Sequence, residues 1–389
     1  MTTAVIVDAL RTPAGKGKPG GALADWHPVD LLGTLLRELV ERNDLDPALI
    51  DDVIGGCLSQ VGEQSVNITR NAVLAAGFPE SVPGTTVDRQ CGSSQQAAAF
   101  AAQGVIAGAY DIVIACGVEL MSKNPIGYAA IGMDNWGPLV RGRYPDGLVG
   151  QGISAELIAS RWKLSREALD TFAERSHRLA GASDFSSEIL AIGDLTTDET
   201  IRAGTTVEGL GQLKPAFEDD ALAERFPEIH WKVTAGNSSP YTDGASAVLI
   251  MSEKRALQLG LTPRARFHSF AVVGSDPIEM LTGILPATRK ILDRSGLNHD
   301  KLGIDDFDTF EVNEAFASVP LAWQHEFGVD PKLVNPRGGA IALGHALGAS
   351  GTRLLTTMVN QLERVEGRYG LQLMCEGAGM ANATIIERL

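Results

Sequence analysis

A thiol at Cys91 and an imidazole at His345 each stand beside a glycine, and a second thiol at Cys375 stands just before a glycine turn. Together they are the parts of nucleophilic catalysis by a cysteine with a histidine base. Cys91 lies in Val87-Asp88-Arg89-Gln90-Cys91-Gly92-Ser93-Ser94, where an extended run meets a glycine and an alanine-rich helix. The unpaired N–H groups and the dipole of a helix start favour a thiolate there. His345 sits in a run of small residues from Gly338 to Gly351. An imidazole titrating near 6.5 can take and return a thiol's proton. Cys375 precedes Glu376-Gly377-Ala378-Gly379, a turn whose N–H groups could form an oxyanion hole. Asn313, in Glu311-Val312-Asn313-Glu314-Ala315-Phe316, is a strand-end carboxamide able to orient a water or a substrate oxygen. Taken singly, each has a plainer reading: an inert core cysteine, a hydrogen-bonded core histidine, a turn-capping asparagine.

Short β-branched runs predict strands over 5–7, 52–54, 85–88 and 112–115, and helices between them over 28–41, 68–76 and 93–107. This alternation predicts an α/β fold with a buried, largely parallel sheet. From 121 to 234 the chain is rich in Gly, Pro, Trp and charge. Helices are expected at 152–162 and 166–180 without regular strands, so this stretch reads as an insertion. Strands return at 245–251. The last third then repeats the first in outline. Cys57 to Cys91 is 34 positions (91 − 57), Asn313 to His345 is 32 (345 − 313), and each half ends in an apolar strand bearing a cysteine, Cys116 or Cys375. A duplicated unit would bring equivalent helix starts, and with them Cys91 and His345, toward one centre; chance spacing is the alternative.

At 389 residues, 44% apolar and 21% charged, the chain has room for two domain-sized units of an ordinary globular protein. A net charge of −15 argues against nucleic acid as a partner, but a local basic patch can still hold an anionic small molecule. Four cysteines in so long a chain form no disulfide framework, and none is paired with His at zinc-ligand spacing, so no metal is expected. The first residues read as a strand rather than a signal peptide. The most apolar stretch, 97–121, is broken by Gln103, Gly104, Gly108 and Asp111. No membrane span and a cytoplasmic location follow as expectations.

Taken together in chain order, these motifs resemble the thiolase family, the acyl-CoA C-acyltransferases. The likeness also includes Arg11-Thr12-Pro13, Ala115-Cys116-Gly117-Val118-Glu119, Leu213-Lys214-Pro215-Ala216-Phe217 and Val233-Thr234-Ala235-Gly236-Asn237. It implies duplicated βαβαβαββ halves in an α-β-α-β-α layering: residues 1–120 with 235–261, and 262–389, with a loop domain over 121–234. It implies thiolytic cleavage of 3-oxoacyl-CoA to acetyl-CoA and a shortened acyl-CoA. In that reading Cys91 is the nucleophile, His345 its base and Cys375 the second acid–base group. Asn313 would hold a water beside His345, and the N–H groups of Cys91 and Gly377 would form a second oxyanion hole. The resemblance further assigns Ser269 and Lys214 to coenzyme A, and Gln151 and Phe316 to the acyl pocket. Coenzyme A would be a substrate, no cofactor would be tightly bound, and a homodimer or homotetramer would be the assembly.

The chain departs from the family at Ser94, Arg337, Ala346, Glu376 and Ala378, and in a long run over 218–231. Gly150-Gln151 stands where acetoacetyl-specific members carry His-Met, which implies a longer or bulkier acyl group. The wording around Gln64 and Gln151 is similar to actinobacterial lipid- and steroid-degrading members. The rival readings are a biosynthetic acetoacetyl-CoA-forming enzyme, a ketosynthase (which has a second histidine in place of Cys375), a cysteine hydrolase and a silent acyl-CoA-binding protein.

Overall fold

The computed structural model describes residues 2–297 and 299–389. Its strands are β1 (Ala4–Arg11), β2 (Gly15–Lys16), β3 (Asp52–Gly56), β4 (Thr85–Val87), β5 (Ile112–Leu120), β6 (Thr242–Ser252), β7 (Ala265–Gly274), β8 (Thr309–Val312), β9 (Tyr369–Glu376) and β10 (Met380–Arg388). They form a continuous ten-stranded sheet ordered β4-β3-β5-β6-β1-β7-β10-β9-β8, with β2 paired to β6.

The duplication suggested by cysteine spacing is visible in the pairing. In the first half β4 and β5 flank β3 in parallel, and β5, β6 and β1 follow antiparallel. In the second half a parallel bridge from Val334 and the strand β9 flank β8, and β9, β10 and β7 follow antiparallel. The halves meet where Val5 and Ile6 of β1 pair with Arg266 and Ala265 of β7. The expectation of a largely parallel sheet is therefore corrected, because among the described residues the strands pair in parallel only as β3 with β4 and β5, and β8 with β9. A three-residue turn over 377–379 joins β9 to β10, and so short a connection permits only antiparallel pairing. In the first half, the inserted segment returns the chain to β6 beside β5 in the opposite sense.

Helices Pro28–Glu41 and Ile68–Ala75 cover the outer face of the first half, and Ile284–Ser295 and Ser318–Phe327 cover that of the second. Between the halves lie Ser93–Ala107 and Ser350–Arg364, packed on each other and on both parts of the sheet. This is the α-β-α-β-α layering. Strands β5, β6 and β9 are buried throughout, as strands covered on both faces must be. The inserted segment adds helices Gln151–Arg161 and Arg166–Gly181, which pack against the second half.

The two central helices approach closely at their starts. A Cβ on Gly351 would lie 2.0 Å from the Gln95 nitrogen, and one on Gly56 2.3 Å from the Ser94 nitrogen. The Ser94 hydroxyl accepts from the Thr352 N–H at 3.0 Å, and Gln372 Nε2 donates to the Gly351 carbonyl at 2.8 Å. Small residues are thus required here by backbone proximity. Replacing Gly351 with alanine is expected to destabilise the fold by about 1–3 kcal/mol, because backbone rather than a flexible side chain would have to yield. A lowered urea midpoint would bear this out; an unchanged one would contradict the close approach.

Candidate active site

Cys91 follows β4 through a tight turn. The Asp88 carboxylate accepts from the Gln90 N–H at 2.7 Å, the Arg89 N–H donates to Ser93 Oγ at 2.9 Å, and Gln90 adopts a left-handed φ of +51°. Gly92 is the N-cap of the helix Ser93–Ala107 and supplies no side-chain cap. The N–H groups of Cys91 itself and of Gly377 reach the Cys91 sulfur, and Gln151 Nε2 lies 4.0 Å from it. The side chain is only 1% exposed. Here the thiolate expected from the helix start is corrected: burial, with the nearby Glu376 carboxyl, pushes the thiol up to about 12. Loss of hydration for a charged sulfur outweighs the donors and the helix start.

His345 follows Gly344, whose φ of +82° suits glycine, and a Cβ there would lie 2.6 Å from the Thr242 side chain. The His345 N–H donates to Thr242 Oγ1 at 2.9 Å. Its Nδ1 is 2.6 Å from Ser350 Oγ, and the Ser350 hydroxyl donates to the Ala346 carbonyl at 2.8 Å. With its proton so committed, Ser350 accepts from Nδ1–H, which leaves Nε2 as the proton-accepting nitrogen. Burial first, and the Arg353 guanidinium second, push the imidazole down to about 3. The resting site therefore holds a neutral thiol and a neutral imidazole.

Asn313 leaves β8 where Val312 pairs with Leu373 of β9, and its N–H donates to the Leu373 carbonyl at 3.0 Å. That register sets its side chain between two groups. Nδ2 is 3.4 Å from His345 Nε2, and the side chain also hydrogen-bonds Cys375, whose thiol burial pushes up. Cys91 and Cys375 are close enough for charge on one to raise the other. The Asn313 Oδ1 is buried with no partner among the described residues, an acceptor a water or ligand could satisfy.

Buried polar groups tie these loops together. Glu119 accepts from the N–H groups of Leu58, Ser59 and Gly348 and from Gln64 Nε2 at 2.7–3.1 Å, joining the loop after β3 to the loop after His345. Glu314 accepts from Ser176 Oγ, Asn335 Nδ2 and the Ile341 N–H, binding the Asn313 loop to the His345 loop. Asn335 also exchanges two 2.8 Å bonds with the backbone of Val312. Sequence reasoning assigned no role to Glu119, Thr242, Glu314, Asn335 or Ser350. A carboxylate within the otherwise apolar Ile112–Leu120 was an available signal for Glu119.

A cavity of about 430 Å³ opens on this cluster, with His345, Gly377, Gln151, Phe316, Phe217 and Met280 in its wall. The structure thus brings Cys91, His345, Cys375, Asn313, Gly377, Gln151 and Phe316 into one region. It does not bring Ser269 there. Ser269 pairs with His268 Nδ1 at 2.9 Å and lines a separate cavity with Phe267, Arg294 and His299, because β7 turns that side chain toward the start of β1. Ser238 and Ser239 line the active cavity instead. Lys214 is exposed and lies outside the lining. Arg337 points away, to Glu188 at 3.0 Å and the Phe185 ring at 4.2 Å, and Ala346 likewise lies outside the lining. The 218–231 run contains the short helix Asp220–Arg225; Arg225 bonds the carbonyls of Asp146 and Gly147, and Phe226 and Ile229 pack with Ile153 and Leu157, bracing the cavity's outer loop. Among the described residues no group of three or more His, Cys, Asp or Glu is placed to hold a metal, and no helix is long and apolar enough to cross a membrane.

Residues 4–254 match the family description "Thiolase, N-terminal domain" and residues 261–388 "Thiolase, C-terminal domain". The chain is 48% identical to the steroid 3-ketoacyl-CoA thiolase FadA6 of Mycobacterium tuberculosis, over 100% of this chain and 95% of that one. It is 43% identical to the 3-ketoacyl-CoA thiolase of Klebsiella pneumoniae over 100% of both. The crystal structure of the Bacillus anthracis acetyl-CoA acetyltransferase superposes with a TM-score of 0.88 at 35% identity, covering 100% of this chain and 99% of that one.

Ser350→Ala would remove the acceptor that fixes the His345 ring. A hydrogen bond to a group that becomes charged contributes about 1.5–3 kcal/mol, so labelling of Cys91 by iodoacetamide should slow roughly ten- to hundredfold. An unchanged labelling rate would show that Ser350 does not orient the base.

Proposed function

The chain belongs to the thiolase family and is an acyltransferase that cleaves 3-oxoacyl-CoA with coenzyme A, and we propose that Cys91, His345, Cys375 and Asn313 divide the chemistry. His345 Nε2 takes the Cys91 proton as the sulfur attacks the 3-keto carbon. The carbon–carbon bond breaks, the acyl group stays on Cys91, and the enolate of acetyl-CoA leaves with the proton of Cys375. Cys375, now a thiolate, takes the proton of incoming coenzyme A. The CoA sulfur attacks the acyl thioester, and Cys91 departs and regains its proton from His345. Exchange between two thioesters is nearly isoenergetic, so the acyl-enzyme is no trap, whereas a serine ester would lie lower.

The observation that carries this reading is the convergence of two buried sulfurs, a ring nitrogen and a carboxamide beside a cavity whose wall includes His345 and Gly377. Neutral resting groups suit it, because charge then develops only as the reaction proceeds, inside a site where fixed donors act strongly. The N–H groups of Cys91 and Gly377 would hold the oxygen of the tetrahedral adduct. The unpartnered Asn313 Oδ1 would hold the water that, with His345, meets the enolate oxygen. Losing one such donor typically costs about 3–4 kcal/mol of transition-state stabilisation.

For the substrate, the reading is an acyl group longer or bulkier than acetoacetyl. The cavity is lined by Trp136, Phe217, Met280 and Phe316, with Gly150 and Gln151 in its wall. The Mycobacterium relative, named for steroid 3-ketoacyl-CoA, agrees with this. Coenzyme A is a second substrate, with Ser238 and Ser239 better placed than Ser269 to meet its pantetheine arm. A homodimer or homotetramer in the cytoplasm completes the reading. Its support is the apolar loop carrying Ile131, Met133 and Leu139, which are 71%, 76% and 89% exposed in the single chain and suited to cover by a second copy.

Cys91→Ala should abolish the acyl-enzyme and turnover. Cys375→Ala should lower thiolysis roughly 10²- to 10⁴-fold, the usual share of a general acid–base group; wild-type turnover would refute its assignment. Across 3-oxoacyl-CoAs from acetoacetyl to steroid side chains, kcat/KM should rise beyond acetoacetyl-CoA. Preference for acetoacetyl-CoA would contradict the pocket reading.

A further inference from the structure

Glu376 follows Cys375 at the end of β9, opposite Met380 of β10. Its side chain turns back onto the nucleophile's own loop. A Cβ built on Gly92 would stand 1.8 Å from Glu376 Oε1, and the three nearest atoms to that position all belong to Glu376. Gly92 has an ordinary φ of −90°, so the backbone would accept a side chain there, and the Glu376 carboxyl stands where one would go. Glu376 is 0% exposed, and among the described residues neither carboxyl oxygen has a hydrogen-bond partner. The nearest cation, Arg89, directs Nη1 to Met380 Sδ at 3.7 Å instead.

An ionised carboxylate buried without a partner is costly enough that the group takes up a proton instead. The charged and titratable groups facing Glu376 are Asp88 and Arg89, on the chain leading to Cys91, together with Cys91 and Cys375 themselves. Of these only Arg89 favours the charged form. We infer that Glu376 is a positioning residue for the nucleophile: an uncharged carboxylic acid wedged against Gly92, whose conversion to a carboxylate opposes the Cys91 thiolate. Burial, with Asp88 adding to it and Arg89 opposing it, pushes the carboxyl up to about 9. At neutral pH the wedge is neutral and adds no charge to the burial that already opposes the thiolate. Above pH 9 a negative charge stands beside the sulfur and raises its proton affinity further.

The inference rests on Cys91 being the nucleophile, and one experiment separates the two. Iodoacetamide labelling of Cys91, followed by peptide mass spectrometry, is measured from pH 7 to pH 10 in the wild type and in Glu376→Gln. The expected ratio of variant to wild-type rate is about tenfold larger at pH 10 than at pH 7, since the amide keeps the wedge but cannot ionise. A ratio that stays level or falls overturns the role of Glu376 while leaving Cys91 as nucleophile. Absence of Cys91 labelling in both proteins removes the nucleophile reading and this inference with it. Should the amide variant not fold, Glu376→Ala serves the same comparison, because it too lacks the ionisable group.

Discussion

The site depends on how closely two helix starts can approach. Cys91 leads into one central helix and His345 into the other, and they belong to opposite halves of the molecule. The halves can share a centre only because glycine stands at Gly56, Gly117, Gly348 and Gly351, where an added Cβ would come within 2.0–2.6 Å of facing backbone. Ser94, Thr352 and Gln372 then hold the junction with hydrogen bonds that tolerate little displacement. Glu119 extends the same constraint outward, since one carboxylate accepts from both the loop after Cys57 and the loop after His345.

Close packing excludes water from the reacting groups. Exclusion keeps thiol and imidazole neutral, the reverse of what a helix start alone suggests for Cys91. Charge must appear during the reaction, and the donors that meet it are N–H groups already in place. Cys375 shares this environment and burial pushes its thiol up as well, which in the proposed mechanism keeps its proton in place until the substrate carbanion forms. A dry site also favours transfer of the acyl group to CoA over its loss to water. The cavity beside them has His345 and Gly377 in its wall, and the inserted segment supplies aromatic and aliphatic cover.

Much of this was legible from residue types. The alanine-rich 93–107 stretch appears as a helix of those bounds, its five buried alanines letting it pack closely. The matched spacings of Cys57 to Cys91 and Asn313 to His345, with Cys116 and Cys375 after them, foretold a repeat that the strand pairing makes explicit. Strand direction was not legible, because it is set by how the chain returns after the insertion and by the turn at Gly377. The state of Cys91 was misread because local sequence displays the helix start but not the depth of burial. Ser269 was misplaced because a serine on a strand announces neither which face it takes nor which cavity lies beyond it. Asn335 and Ser350 were passed over, as their partners lie on other loops or depend on a ring orientation that only coordinates supply.

The most direct measurement is a crystal structure of the protein supplied with a 3-oxoacyl-CoA in the absence of free coenzyme A. The account predicts an acyl group on Cys91 Sγ, its carbonyl oxygen within hydrogen-bonding distance of the Cys91 and Gly377 N–H groups, and the Cys375 sulfur facing the same carbon. An acyl group carried elsewhere, or His345 and Cys375 turned to different cavities in that complex, would contradict it.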